Sequence, residues 1–246
     1  MKAFSMSIGT FGLVVALAVV PAAAQQSRSS FELRPTLTQG QLEAFTADLG
    51  SLLRFRQVGD STTLGSGRFE IGAQFANIPF DAVNGVWTTT HDLARRLSYP
   101  QVIARFGASD RVDVGALGGI DPGAKYGVAG FDTRIALLRQ ADGRPVSVLI
   151  RPSVATLIYP SQVLVGTVSV DLSVSRAFGP WSAYGGVAGS TSAAVERSSA
   201  VDLDPATTNR SLAFAGLSYC WRAVVVSAEL EQGNRFNYAF RVAKRF

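Results

Sequence analysis

The chain has 246 residues, 47% of them hydrophobic and only 17% charged, with a net charge of +5; a typical soluble domain carries about 25% charged residues. Of the 23 basic residues only Lys2, Lys125 and Lys244 are lysine, so the surface is not the lysine and glutamate coat of a soluble protein, and no basic cluster interleaved with aromatics makes a nucleic-acid groove. A single cysteine, Cys220, excludes an internal disulfide; with no histidine near it in sequence it reads as a small apolar residue rather than a reactive thiol.

At the start of the chain, Lys2 precedes the apolar run Ile8 to Val20, then Pro21 and the triplet Ala22-Ala23-Ala24. This reads as a secretory signal cleaved after Ala24, with the mature chain beginning at Gln25. The run of about 13 residues is shorter than the ~20 a helix needs to span a bilayer. In the segment 25–66 that follows, Thr38 and Gln41 have the spacing of a capping box, and Leu42, Phe45, Leu49 and Leu53 recur near helical period. One amphipathic helix is predicted over 39–54, used for packing, either capping the periplasmic mouth of the domain that follows or inserting into its lumen. A Gly/Ser/Thr-rich linker, Gly59 to Ser66, comes next.

From residue 67 onward the period is two. Phe69, Ile71, Ala73 and Phe75 alternate with Arg68, Glu70, Gly72 and Gln74. Leu164, Val168, Val170, Leu172 and Val174 oppose Thr167, Ser169, Asp171, Ser173 and Ser175, and Val224, Val226, Ala228 and Leu230 oppose Ser227, Glu229 and Glu231. Turn signals cut this region into about ten strands, near 67–77, 101–108, 111–119, 126–140, 145–157, 163–177, 180–190, 211–220, 222–231 and 235–246, with either parity open for 211–220. Tight connections fall on one side, and the long ones, 78–100 and 191–210, on the other. The expected fold is all-β: an antiparallel up-and-down transmembrane barrel of about ten strands, with eight to twelve allowed, preceded by one helix.

The choice between a membrane barrel and a soluble sheet rests on what each face carries. The polar positions hold Arg68, Glu70, Arg105, Asp113, Asp132, Arg134, Arg151, Asp171, Glu229, Glu231, Arg241 and Arg245. Acidic and basic residues mixed among small ones suit an enclosed lumen, where charges must pair. Phe69, Phe106, Trp181, Trp221 and Phe246 fall at the turn-side strand ends, and Phe75, Tyr126, Tyr159 and Tyr238 at the loop-side ends, as two membrane interfaces would select. A lipid-facing sheet leaves no edge unpaired, so the last strand should close on the first.

That last strand, with Tyr238, Phe240, Val242 and the terminal Phe246, resembles the C-terminal signal strand of Gram-negative outer-membrane β-barrels; Lys244 departs from the pattern. The layout of signal, helix and strands, with VSRAFGPWSAYGG at 174–186, is similar to small uncharacterised members of that class. The resemblance implies recognition by barrel-insertion machinery and contact with outer-membrane lipid and lipopolysaccharide; it carries no established activity and leaves the oligomeric state open.

Nothing else rises to a chemical motif. His91 and Asp92 are adjacent and point apart, with no nucleophile marked nearby. One histidine and one cysteine give no metal-ligand spacing, Gly65-Ser66-Gly67 lacks a phosphate loop's third glycine, and Asn209-Arg210-Ser211 is a chance glycosylation match. No cofactor and no catalytic role is expected. Three functions remain open: a narrow pore or transporter for small solutes, a structural or surface-interaction barrel with a plugged lumen, and a soluble exported binding sheet.

Overall fold

The computed structural model describes residues 29–31, 36–79, 87–89, 96–121, 126–158, 163–197 and 203–246. The export signal read over 1–24, the His91-Asp92 pair and Tyr159 lie outside them. The elements run β1 (Ser29–Phe31), α1 (Gln39–Leu53), β2 (Phe69–Pro79), β3 (Trp87–Thr89), β4 (Arg96–Gly107), β5 (Val112–Asp121), β6 (Tyr126–Leu138), β7 (Ser147–Ile158), β8 (Val163–Phe178), β9 (Trp181–Glu196), β10 (Ala206–Trp221), β11 (Val224–Gln232) and β12 (Phe236–Arg245).

Ten of these strands, β2 and β4 through β12, form one closed antiparallel barrel. Closure is made by the C-terminal strand: β12 pairs with β2 from Tyr238 opposite Asn77 to Arg245 opposite Glu70. Beyond the ladder, Phe246 N–H donates to Phe69 O at 2.8 Å and Phe69 N–H to Phe246 O at 3.3 Å. The final residue is therefore pinned, and the sheet has no free edge along β2 and β12, which is the condition for backbone standing in hydrocarbon. Among the described residues no helix is long and apolar enough to cross a membrane.

The faces sort as the alternation requires. Outward positions are apolar and exposed, as at Val168 (58%), Leu217 (56%) and Phe240 (50%), while the alternate positions are buried and polar. For β10 the open parity resolves with Phe214 inside at 4% exposure. Its ring lies under the Arg54 guanidinium, 5.8 Å from carbon to centroid.

Three strands are longer than expected. β4 begins at Arg96 rather than 101, running through Pro100 opposite Phe75, a residue that reads as a strand breaker in sequence. β9 continues to Glu196 and β10 starts at Ala206, so the expected loop 191–210 is mostly strand. Its polar stretch is stabilised laterally, with Thr191 Oγ1 donating to Asn209 Oδ1 at 2.7 Å, and internally, where Ala194 and Ala206 are buried against α1. β1 pairs with β3, which lies within the β2–β4 connection.

Candidate functional site

The lumen is filled by the protein's own N-terminal segment. α1 starts in the expected capping box, with Gln41 N–H donating to Thr38 Oγ1 at 3.4 Å and Thr38 N–H to Gln41 Oε1 at 2.9 Å. Its Gln39 Nε2 donates to Asp204 O in the β9–β10 connection at 3.1 Å, which sets the helix start on the loop side. Leu42, Phe45, Leu49, Leu52 and Leu53 are buried against the barrel wall, among them Ile78, Leu157, Val163 and Val165. Ten strands enclose enough room for one helix, about 10 Å across with side chains. The fit is close: a Cβ on Gly50 would stand 2.1 Å from Ser192 Oγ of β9.

Past Leu53 the chain runs extended down the barrel. It has no helix or ladder to satisfy its carbonyls, and wall arginines do so. Arg151 donates to Phe55 O, Arg134 Nη2 to Gln57 O at 3.3 Å, and Arg241 Nη1 to Val58 O at 3.2 Å. Val58 is held at φ 30°, a left-handed value that β-branched residues rarely take. Ser61 N–H donates to Ser175 Oγ at 3.0 Å, Leu64 N–H to Asp113 Oδ1 at 3.1 Å, and Thr63 Oγ1 to Asp110 O at 2.7 Å. The segment thus leaves on the turn side, packed on the β4–β5 turn, where a Cβ on Gly107 would meet Gly65 O at 1.9 Å. It then enters β2.

Around this thread the charges form one network. Arg54 pairs with Glu231, and with Asp171 at 3.3 Å. Arg56 Nε donates to Glu231 Oε2 at 3.0 Å. Asn237 Nδ2 donates to the same oxygen at 3.2 Å. Arg151 pairs with Asp171, and with Asp132 at 3.4 Å; Arg105 meets Asp132 at 2.6 Å. Arg241 pairs with Glu70, which also takes Arg245 at 3.0 Å. A planar fork can serve a carboxylate and a carbonyl together, which a lysine ammonium does less well. That explains why the interior bases are arginine.

Of the twelve charged residues expected to line the lumen, Glu70, Arg105, Asp113, Asp132, Arg134, Arg151, Asp171, Glu229, Glu231 and Arg241 are buried inside. Arg245 is half-buried at the turn-side mouth, bridging to Asp60 at 3.7 Å. Arg68 is exposed: it precedes β2, beyond the turn at Gly67, and is not part of the lumen. Arg54 and Arg56 are the functional residues that the periodicity missed, because they sit in a stretch with neither helical nor strand period. A pair of arginines just past an amphipathic helix, ahead of a barrel rich in inward carboxylates, was the available signal.

The balance of charge shows what those two do. The wall's fully buried groups are four arginines (Arg105, Arg134, Arg151, Arg241) and six carboxylates (Glu70, Asp113, Asp132, Asp171, Glu229, Glu231). Arg54 and Arg56 bring the interior to six against six. The threaded segment is the electrostatic complement of the wall as well as its filling.

No family model matches the sequence, and no curated protein does. Solved structures do match. The translocator domain of the autotransporter NalP from Neisseria meningitidis aligns at TM-score 0.43 and 12% identity, covering 85% of this chain and 94% of that one. The outer membrane protein OprG from Pseudomonas aeruginosa aligns at 0.35 and 9%, covering 76% and 99%. Ail, the attachment invasion locus protein of Yersinia pestis, aligns at 0.33 and 12%, covering 74% and 99%. Similarity at this level concerns architecture alone. This chain's own surfaces say more: apolar side chains face outward around a closed sheet, charged side chains are sealed within, and aromatics Phe69, Phe106, Trp181, Trp221 and Phe246 stand exposed at the turn-side ends, with Phe75 and Tyr238 on the outer face nearer the loops. The protein is a closed ten-stranded antiparallel β-barrel with an apolar outer surface and its N-terminal segment threaded through the lumen.

Proposed function

We propose that this is a closed barrel, shut by residues 36–68, whose work is done at the cell surface by the β2–β4 and β9–β10 connections and by the chain that precedes the helix. No catalytic step is assigned to it. One observation carries it: the N-terminal segment spans the lumen from the loop side to the turn side and neutralises the wall. Short turns face the periplasm in barrels of this kind, which sets Thr38 and β1 on the outer side and Phe246 on the inner. Export uses a signal removed after Ala24, and Tyr238, Phe240, Val242 and Phe246 serve recognition by the insertion machinery. Outer-leaflet lipopolysaccharide surrounds the loop side.

A second reading, a gated pore, is favoured by the wall charge. With the segment displaced, four arginines against six carboxylates leave a negative lumen that prefers cations. Planar-bilayer recording tests the two together. The intact protein should be electrically silent, and a variant lacking residues 36–64 should conduct with cation preference. Steady conductance by the intact protein overturns the closed-barrel reading. An epitope tag at Gln25 should be protease-accessible on whole cells.

A further inference from the structure

Cations and aromatic rings are not spread evenly around the turn-side rim. On β8, Arg176 lies over the Phe178 ring at 5.2 Å. In the β10–β11 turn, Arg222 lies over Trp221 at 5.3 Å. On β12, Lys244 Nζ lies 5.0 Å from the Phe246 centroid, which explains the one residue of the closing strand that departs from the expected pattern. Trp181 and Tyr219 meet at a tilt between the first two, 4.7 Å apart, and Phe246 continues to Phe69 at 6.4 Å, beside exposed Arg68. The result is an arc from β8 through β12 to β2.

Among the described residues none of Arg68, Arg176, Arg222 and Lys244 meets a carboxylate. The opposite arc differs: Arg111 pairs with Asp142 at 2.9 Å, and Arg139 approaches Asp142 at 3.8 Å and Asp110 at 3.9 Å. Arg144 there is exposed and, among the described residues, has no ring beneath it. A cation held over an aromatic ring at the edge of an apolar band stands at headgroup depth. An uncompensated row of such cations recognises phosphate.

We propose that the β8-to-β2 arc of the turn-side rim binds the phosphate headgroups of anionic phospholipid in the leaflet it faces. Phe178, Trp181, Tyr219, Trp221 and Phe246 fix the depth, and Arg176, Arg222 and Lys244 contact the phosphates. The inference needs the barrel to stand in a bilayer and is independent of the role of the lumen.

The test uses full-length protein with Trp87→Phe, so that Trp181 and Trp221 report from the arc itself. It is reconstituted in vesicles of phosphatidylcholine with graded phosphatidylglycerol, one lipid or the other carrying bromine on its chains. Brominated phosphatidylglycerol should quench preferentially, by roughly fivefold in relative affinity for each cation engaged, and the preference should shrink at high salt. Replacing Arg176, Arg222 and Lys244 together by Gln should abolish it. Arg222→Gln alone should reduce it, and Arg144→Gln, which removes the same charge from the same side, should leave it in place. Equal quenching by both lipids in the unsubstituted rim overturns the proposal without any rim variant having to fold. So does a preference that survives the triple substitution, or one lost equally in Arg144→Gln.

Discussion

Glu231→Gln is the sharpest perturbation of the threaded segment. The Glu231 carboxylate is fully buried and takes Arg54, Arg56 Nε at 3.0 Å and Asn237 Nδ2 at 3.2 Å. After substitution Arg54 keeps Asp171 at 3.3 Å. Arg56 keeps only backbone carbonyls, of Ser51 at 2.7 Å and Arg54 at 3.4 Å, and is left as a buried cation without a carboxylate. Breaking one buried pair costs about 3–5 kcal/mol; one of the two arginines is stranded, so one such cost applies rather than two. At about 1.4 kcal/mol per decade, the unseated fraction of the segment rises by roughly two to three decades. The neighbouring Glu229→Gln is the control. Glu229 is buried on the same face of β11, and neither of its carboxylate oxygens has a hydrogen-bond partner, so neutralising it relieves an unpaired charge and should leave stability equal or higher. Planar-bilayer openings and the temperature at which folded protein loses its fast gel mobility read both variants. If Glu231→Gln stays silent and melts with Glu229→Gln, the segment is not held by its charges and the reasoning fails.

Phe45→Asp removes a side chain with no exposure and should cost about 3–5 kcal/mol from lost packing alone, with a further penalty for the unpaired charge; an unchanged melting temperature would show the helix free of the barrel. Gly107→Val forces a Cβ against the Gly65 carbonyl, a backbone atom that cannot rotate away, so about 1–3 kcal/mol is expected, seen as faster proteolytic nicking of residues 62–66. Phe240→Arg sets a charge on the lipid face mid-strand and should cost about 2–4 kcal/mol, impairing refolding of purified chain into vesicles. Replacing Phe246 with a charged residue costs only about 0–1 kcal/mol at the interface and should refold in vitro while failing to assemble in cells; the reverse pattern would mean that the lipid face is misassigned.

The strands, their faces and the closing role of Phe236–Arg245 were readable from the sequence because each depends on a local period of two against two solvents, one apolar and one polar. The Thr38-Gln41 cap was readable for a similar reason, since four consecutive residues contain the whole device. What lies between them was not. Arg54 to Ser66 makes no ladder and no helix, and reads as a linker; its conformation is imposed by Arg134, Arg151, Arg241 and Asp113, which lie 49 to 183 positions from the residues they hold. The upper halves of β9 and β10 read as loop because Thr191, Ser192 and Asn209 are poor signals by themselves, and they become strand by pairing with each other over a buried helix. Parity in β10 was set by Phe214 finding Arg54 inside, and Arg68 fell outside the lumen because β2 begins at Phe69, two residues later than expected. Only the closed barrel brings the wall's carboxylates and the segment's two arginines into one low-dielectric space, where pairing offsets the cost of burying each charge.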